Sequence, residues 1–139
     1  MSAFENAKSF FEACETGGGW SACQEYVAPG AGFEAQSEPL VDISTVEGYC
    51  EWMAGLANSI APGCSYDLHA EAFDEDSNTA LFFATFNGKH TGEGGPVPPT
   101  YKETNAHYVY ALEMNEEGKV SKMTKVWNAP WTMKELGWA

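Results

Sequence analysis

The sequence has 139 residues and a formal net charge of −13, from 20 acidic residues against seven lysines and no arginine, with 44% hydrophobic and 14% aromatic content. A chain of this size and composition is one domain, 1–139, with enough apolar surface for a real core, which excludes disorder. Its acidic field repels nucleic acid and anionic membrane, and without a guanidinium fork a polyanionic substrate is disfavoured, which leaves a small hydrophobic organic ligand as the expected partner.

In chain order, Ser2 and Glu5 form an S-x-x-E capping box, and Phe4, Ala7, Phe11 and Cys14 behind it recur on one helical face. Three glycines in "TGGG", residues 16–19, end that helix. "WSACQEYV" is predicted as a short helix ending at Pro29, and "AGFEAQ" as a short strand. A second capping box, Ser44 with Glu47, opens the clearest helix, whose stripe is Val46, Tyr49, Met53, Leu56 and Ile60, widened by Trp52 and ended by Pro62-Gly63.

Beyond residue 64 the period changes from helical to two. "YDLHAEAF", "TALFFATF", "NAHYVYALEM" and "KVSKMTKVWN" read as strands, with "DEDSN" and "NEEG" as turns. Helices followed by a meander of long strands predict an α+β fold with the helices on one face of a curved, antiparallel sheet. Such a cone leaves a cavity at its open end, where ligands bind. "NGKHTGEGGPVPPTYKE", residues 87–103, joins two long strands by a connection far longer than an ordinary hairpin, which marks it as a functional loop or a capped edge loop. "NAPWTMKELGWA" is predicted as a short helix closing the mouth, with Pro130 in its first turn.

The four cysteines, Cys14, Cys23, Cys50 and Cys64, make no C-x-x-C pair and no zinc spacing. They are expected to be buried free thiols, and no metal site is predicted. No apolar run approaches the roughly 20 residues of a membrane span. The N-terminal stretch lacks the basic and apolar blocks of a signal peptide, so a soluble, cytoplasmic protein is expected.

The chain resembles the SnoaL-like polyketide and ester cyclase branch of the nuclear transport factor 2-like superfamily. The resemblance rests on "WSACQEYVAPGAGFEA", "VEGYCEWMAGLANSIAPGCSYDLHAEAF", the loop "GKHTGEGGPVPPTYK" and the end "GKVSKMTKVWNAPWTMKELGW". It implies a cone-shaped α+β barrel with a small-molecule pocket, dimerisation through the sheet, and ring closure by aldol chemistry with no metal or cofactor. In those cyclases a carboxylate about ten residues after the Gly-Lys turn is the acid/base. Counting from Gly118-Lys119 reaches Asn128, an amide that cannot act as a general base near neutral pH.

His90, which matches the family's loop histidine, and His107 are therefore the catalytic candidates beside Asn128, and His69, which shares a strand face with Glu71, is a further one. Asn128 is expected to face the cavity with Thr124 and Val126, by strand parity. Phe33, Tyr49, Trp52, Met53, His69, Tyr108 and Val126 are the expected pocket residues. Two functions stay open. One is a cofactor-free lyase, isomerase or cyclase acting on a hydrophobic carbonyl compound. The other is a ligand-binding or dimerising module that lost its acid/base. A homodimer is expected because the last strands carry large groups on both faces, Met123 and Trp127 against Val120, Thr124 and Val126.

Overall fold

The computed structural model describes residues 2–139. Helix α1 (Ala3–Glu15) starts where Ser2 Oγ accepts the Glu5 N–H at 3.1 Å. It runs into α2 (Gly19–Cys23), a single 3-10 turn and strand β1 (Val27–Ala35). Helix α3 (Val46–Gly55) continues as one π turn, Leu56–Ile60. Strands β2 (Ser65–Asp74), β3 (Thr79–Lys89), β4 (Glu103–Met114) and β5 (Val120–Trp127) follow, then α4 (Ala129–Leu136).

The sheet order is β1-β5-β4-β3-β2. Only the β1–β5 pair is parallel; the rest form an antiparallel meander. β1 is longer than the predicted strand and starts before Pro29, because "WSACQEYV" leaves helical geometry at Val27. Register shifts in β1, β2 and β4 bend the sheet around the helices. The result is the expected α+β cone, open at one end, with α1 and α3 in its concavity. No helix among the described residues is long and apolar enough to cross a membrane.

The core follows from two periodicities meeting. Phe10, Phe11 and Cys14 of α1 and Val46, Tyr49, Cys50 and Met53 of α3 are buried against Phe82 of β3, Tyr108, Tyr110 and Leu112 of β4, and Met123 of β5. Phe11 stacks on Phe82 at 4.8 Å and meets Tyr110 edge-on at the same distance. The strand β2 is the exception to the alternation read from sequence. Most of it is exposed because it is an edge strand; Tyr66 and Phe73 pack against the core, and Glu71 accepts from Lys8 of α1 at 3.0 Å.

One cap is corrected. Thr45, not Ser44, is the N-cap of α3, its Oγ1 accepting the Gly48 N–H at 3.0 Å. The Ser44 carbonyl is engaged by the Phe33 N–H of β1. Thr45→Ala is therefore expected to cost about 1 kcal/mol, and Ser44→Ala much less. Equal losses in urea midpoint for the two variants would contradict this capping.

Candidate functional site: a tryptophan-walled pocket above a buried lysine

A cavity of about 500 Å³ lies at the cone mouth. Its walls are Trp52 and Leu56 at the end of α3, Trp127 at the end of β5, Gly94 and Gly95 of the β3–β4 loop, and Met133 and Leu136 of α4, with Trp138 beyond that helix. The lining is mostly apolar, as pockets for hydrophobic ligands are. Helix α4 closes the mouth as expected. It starts at the Asn128 N-cap, ends at Gly137 in the left-handed region, and carries Trp138 back towards the loop.

The loop between His90 and Lys102 is a docked wall. Gly92 N–H donates to the Ile60 carbonyl at 2.9 Å, and Thr100 Oγ1 donates to the Leu136 carbonyl at 2.6 Å. His90 is fully buried at its base. Its Nδ1 accepts the Trp138 indole N–H at 2.9 Å and the Thr100 N–H at 3.4 Å. Two donors on Nδ1 place the ring proton on Nε2, which is buried and has no partner. That nitrogen lies directly behind Gly95, 3.1 Å from where a Cβ would stand. His90 thus sits one residue behind the pocket wall and orients Trp138.

The other candidates do not gather around it. His107 is exposed on the outer face of β4, because Thr104, Ala106, Tyr108, Tyr110 and Leu112 take the inward parity. His69 sits at the register shift in β2, on the same outer face, with Nε2 2.7 Å from Thr85 Oγ1 and its ring 6.3 Å from that of His107. Asn128 does not face the cavity. It is exposed, and its Oδ1 accepts the Trp131 N–H as the cap of α4. The parity read for β5 is reversed: Met123, Lys125 and Trp127 point inward, whereas Val126 is 62% exposed on the outer face. An Asn two residues before a proline is a helix N-cap signal, and here that signal describes the residue better than the family's position does.

Of the expected pocket residues, Trp52 lines the cavity. Phe33, Tyr49, Met53 and Tyr108 are buried beneath it in the core, and His69 and Val126 are outside.

What the structure brings together instead is a buried charged network that the sequence reading missed. Lys125 on β5 and Glu15 at the end of α1 are both in the interior. Lys125 Nζ donates to Tyr49 Oη at 2.8 Å. Tyr49 and Tyr110 hydroxyls are 3.0 Å apart. Tyr110 donates to Glu15, and Tyr108 donates to the other carboxylate oxygen at 2.6 Å. With the Tyr110 proton committed to Glu15, Tyr49 is the donor to Tyr110. The chain Lys125–Tyr49–Tyr110–Glu15 therefore has one sense of polarity.

Lys125 is also enclosed by four aromatic rings. Its Nζ lies 5.0 Å from the ring centre of Tyr49, 5.5 Å from Trp52, 5.2 Å from Tyr108 and 4.9 Å from Trp127. Burial pulls its pKa down to about 8, against the opposing pull of Glu15. Burial pushes the Glu15 carboxyl up, with Lys125 and the two tyrosine hydroxyls resisting. Burial raises all three tyrosines too, so they remain protonated donors. Trp52 and Trp127 belong to both structures: one side of this pair walls the pocket, and the same pair screens Lys125.

A signal for Lys125 was available. It lies between Met123 and Trp127 on one face of a strand, where a lysine is out of place unless partnered. Glu15 falls four residues after Phe11, on the apolar stripe of α1.

No protein-family model matches the sequence, and no curated protein does. Solved structures do match. IdmH, a proposed polyketide cyclase from Streptomyces antibioticus, superposes with a TM-score of 0.77 at 14% identity, covering 99% of each chain. AclR, a proposed hydroxylase from Streptomyces galilaeus, does so with 0.76 at 19% identity, covering 99% of this chain and 85% of its own. A proposed SnoaL-like polyketide cyclase from Jannaschia sp. CCS1 gives 0.74 at 18% identity, over 95% of this chain and 91% of its own. At these identities the likeness is one of architecture: the chain shares the fold of these SnoaL-like structures.

Proposed function

We propose that the chain binds a hydrophobic carbonyl compound in the tryptophan-walled pocket and acts on it without a cofactor, as a cyclase, isomerase or lyase. Lys125 supplies the acid/base and the tyrosine–Glu15 chain takes up or returns its proton. The observation that carries this reading is the buried Lys125–Tyr49–Tyr110–Glu15 chain set against the pocket through Trp52 and Trp127. Burying a lysine and a carboxylate costs stability that pairing only partly offsets, and perturbed titratable groups beside a pocket are a recognised mark of a candidate site. A lysine free base is a competent proton acceptor for a carbon acid. His90 acts here as a positioning residue for Trp138 and the loop.

A second reading, a binding module without turnover, draws support from the mostly apolar wall and from Trp52 and Trp127 standing between the cavity and Nζ. Solvent-deuterium exchange into the α-position of a hydrophobic 1,3-diketone, followed by NMR, separates the two. Catalysed exchange that falls about 10²–10⁴-fold in Lys125→Met is the expected result. A diketone that binds without accelerated exchange leaves the binding module, and one that does not bind removes both readings.

A homodimer through the outer face of the sheet remains part of the proposal. Its basis changes from Trp127, which faces inward, to Leu81, Phe83 and Val126, which are exposed on that face. Light scattering at micromolar concentration is expected to give twice the chain mass; monomer mass would remove the dimer.

A further inference from the structure

Three of the four cysteines converge. Cys14 on α1, Cys23 at the end of α2 and Cys50 on α3 are fully buried free thiols. Their sulfurs all lie within 4.8 Å of one another, and those of Cys14 and Cys50 are 3.9 Å apart. An ion held by three sulfurs in one plane, at a metal–sulfur distance of about 2.3 Å, keeps those sulfurs about 4.0 Å from each other. The trio needs only small adjustments to reach that spacing.

The convergence is built into the backbone. The turn between α1 and α2 has Gly17 and Gly19 in the left-handed region, and a Cβ on Gly18 would stand 2.8 Å from the Ala13 carbonyl oxygen. Only this close return brings Cys23 back beside Cys14. Helix α3 is then pinned across both: Asn58 Nδ2 donates to the Gly17 carbonyl at 2.9 Å, and the Trp20 N–H donates to Glu51 Oε1 at 2.8 Å.

We propose that Cys14, Cys23 and Cys50 form a buried three-sulfur site for a soft, thiophilic ion, copper(I). No histidine or carboxylate completes the group to four ligands among the described residues. Zinc in a protein-only structural site takes four ligands, and hard cations take oxygen. Thiolates select copper(I), which accepts three. Each thiol that binds as a thiolate releases its proton. The ion would lie next to the acid/base network, since Tyr110 Oη is 3.7 Å from Cys14 Sγ, but the site itself does not depend on what the pocket does.

The test uses the reduced full chain without oxygen, titrated with copper(I) against a competing chelator. One ion per chain is expected, with three sulfur neighbours in X-ray absorption. Cys14→Ser, Cys23→Ser and Cys50→Ser should each weaken binding by more than the roughly 10–100-fold that loss of an outer-shell partner brings. Cys64→Ser should leave it unchanged. If the serine variants do not fold, alkylation of the wild-type chain serves instead: copper(I) should slow modification of all three thiols together and not of Cys64. Failure to compete with the chelator, equal dependence on Cys64, alkylation indifferent to copper(I), or preferential zinc binding with a nitrogen or oxygen neighbour would each overturn the site.

Discussion

Between pH 8 and 10.5 the native protein is expected to gain about 3 kcal/mol of stability over its Lys125→Met variant. In the unfolded chain the lysine titrates near its ordinary 10.5, whereas in the native state burial lowers it to about 8. Within that window the unfolded state holds a proton that the native state has lost, so stability rises with pH. The gap from 10.5 to about 8 is worth about 3 kcal/mol at roughly 1.4 kcal/mol per decade. Below pH 8 both states carry the charge, and the native state bears the full cost of burying it. The groups facing Nζ are Glu15 and Cys14 from α1, Tyr49 from α3, and Tyr108 and Tyr110 from β4. They are common to both proteins, and because Lys125 also holds the Glu15 carboxyl down, the difference in urea unfolding free energy reads the lysine together with its coupling to Glu15. Trp52 and Trp127, within 5.5 Å of Nζ, supply a second readout. Their fluorescence should titrate with a midpoint near 8 in the native protein and not in Lys125→Met. A stability difference that stays flat across this window would mean that Lys125 keeps an ordinary pKa, and the acid/base role proposed for it would go too.

Gly92→Ala is expected to cost about 3 kcal/mol and to weaken pocket binding about tenfold or more. A Cβ there would lie 1.7 Å from the Ser59 carbonyl oxygen. That oxygen is backbone in the π turn ending α3 and cannot swing away. The Gly92 N–H also donates to the neighbouring Ile60 carbonyl, so the strain and the lost bond fall on one contact. Lifting Gly92 moves Gly94 and Gly95 out of the cavity wall and uncovers His90. Val97→Ala, on an exposed part of the same loop, is the control and should change stability by less than about 0.5 kcal/mol. Urea midpoints and binding of a fluorescent hydrophobic probe measure both effects. If Gly92→Ala unfolds and binds as the wild type does, the loop is not the docked wall described here.

The fold and the place of its mouth were legible in the amino-acid sequence. The stripe on α1, the stripe on α3 and the change of period near residue 65 are local signals, because backbone hydrogen bonding sets the periods of helix and strand and burial of one face does the rest. The Gly-Pro loop was legible for the same reason: glycines and prolines state their backbone demands locally. The site was not legible, and each miss has its own cause. Parity along β5 is readable, but which parity is inward depends on what covers the sheet, so Lys125 faces in and Val126 and Asn128 face out, the reverse of the expectation. His69 escaped alternation because a register shift in β2 falls on it, and such shifts carry no composition signal. The Lys125–Glu15 chain and the three cysteines join residues far apart in sequence, from α1, α2, α3, β4 and β5. Hydrogen bonds and metal–sulfur bonds act over about 3 Å, and only the closure of the cone around its helices brings those atoms that near.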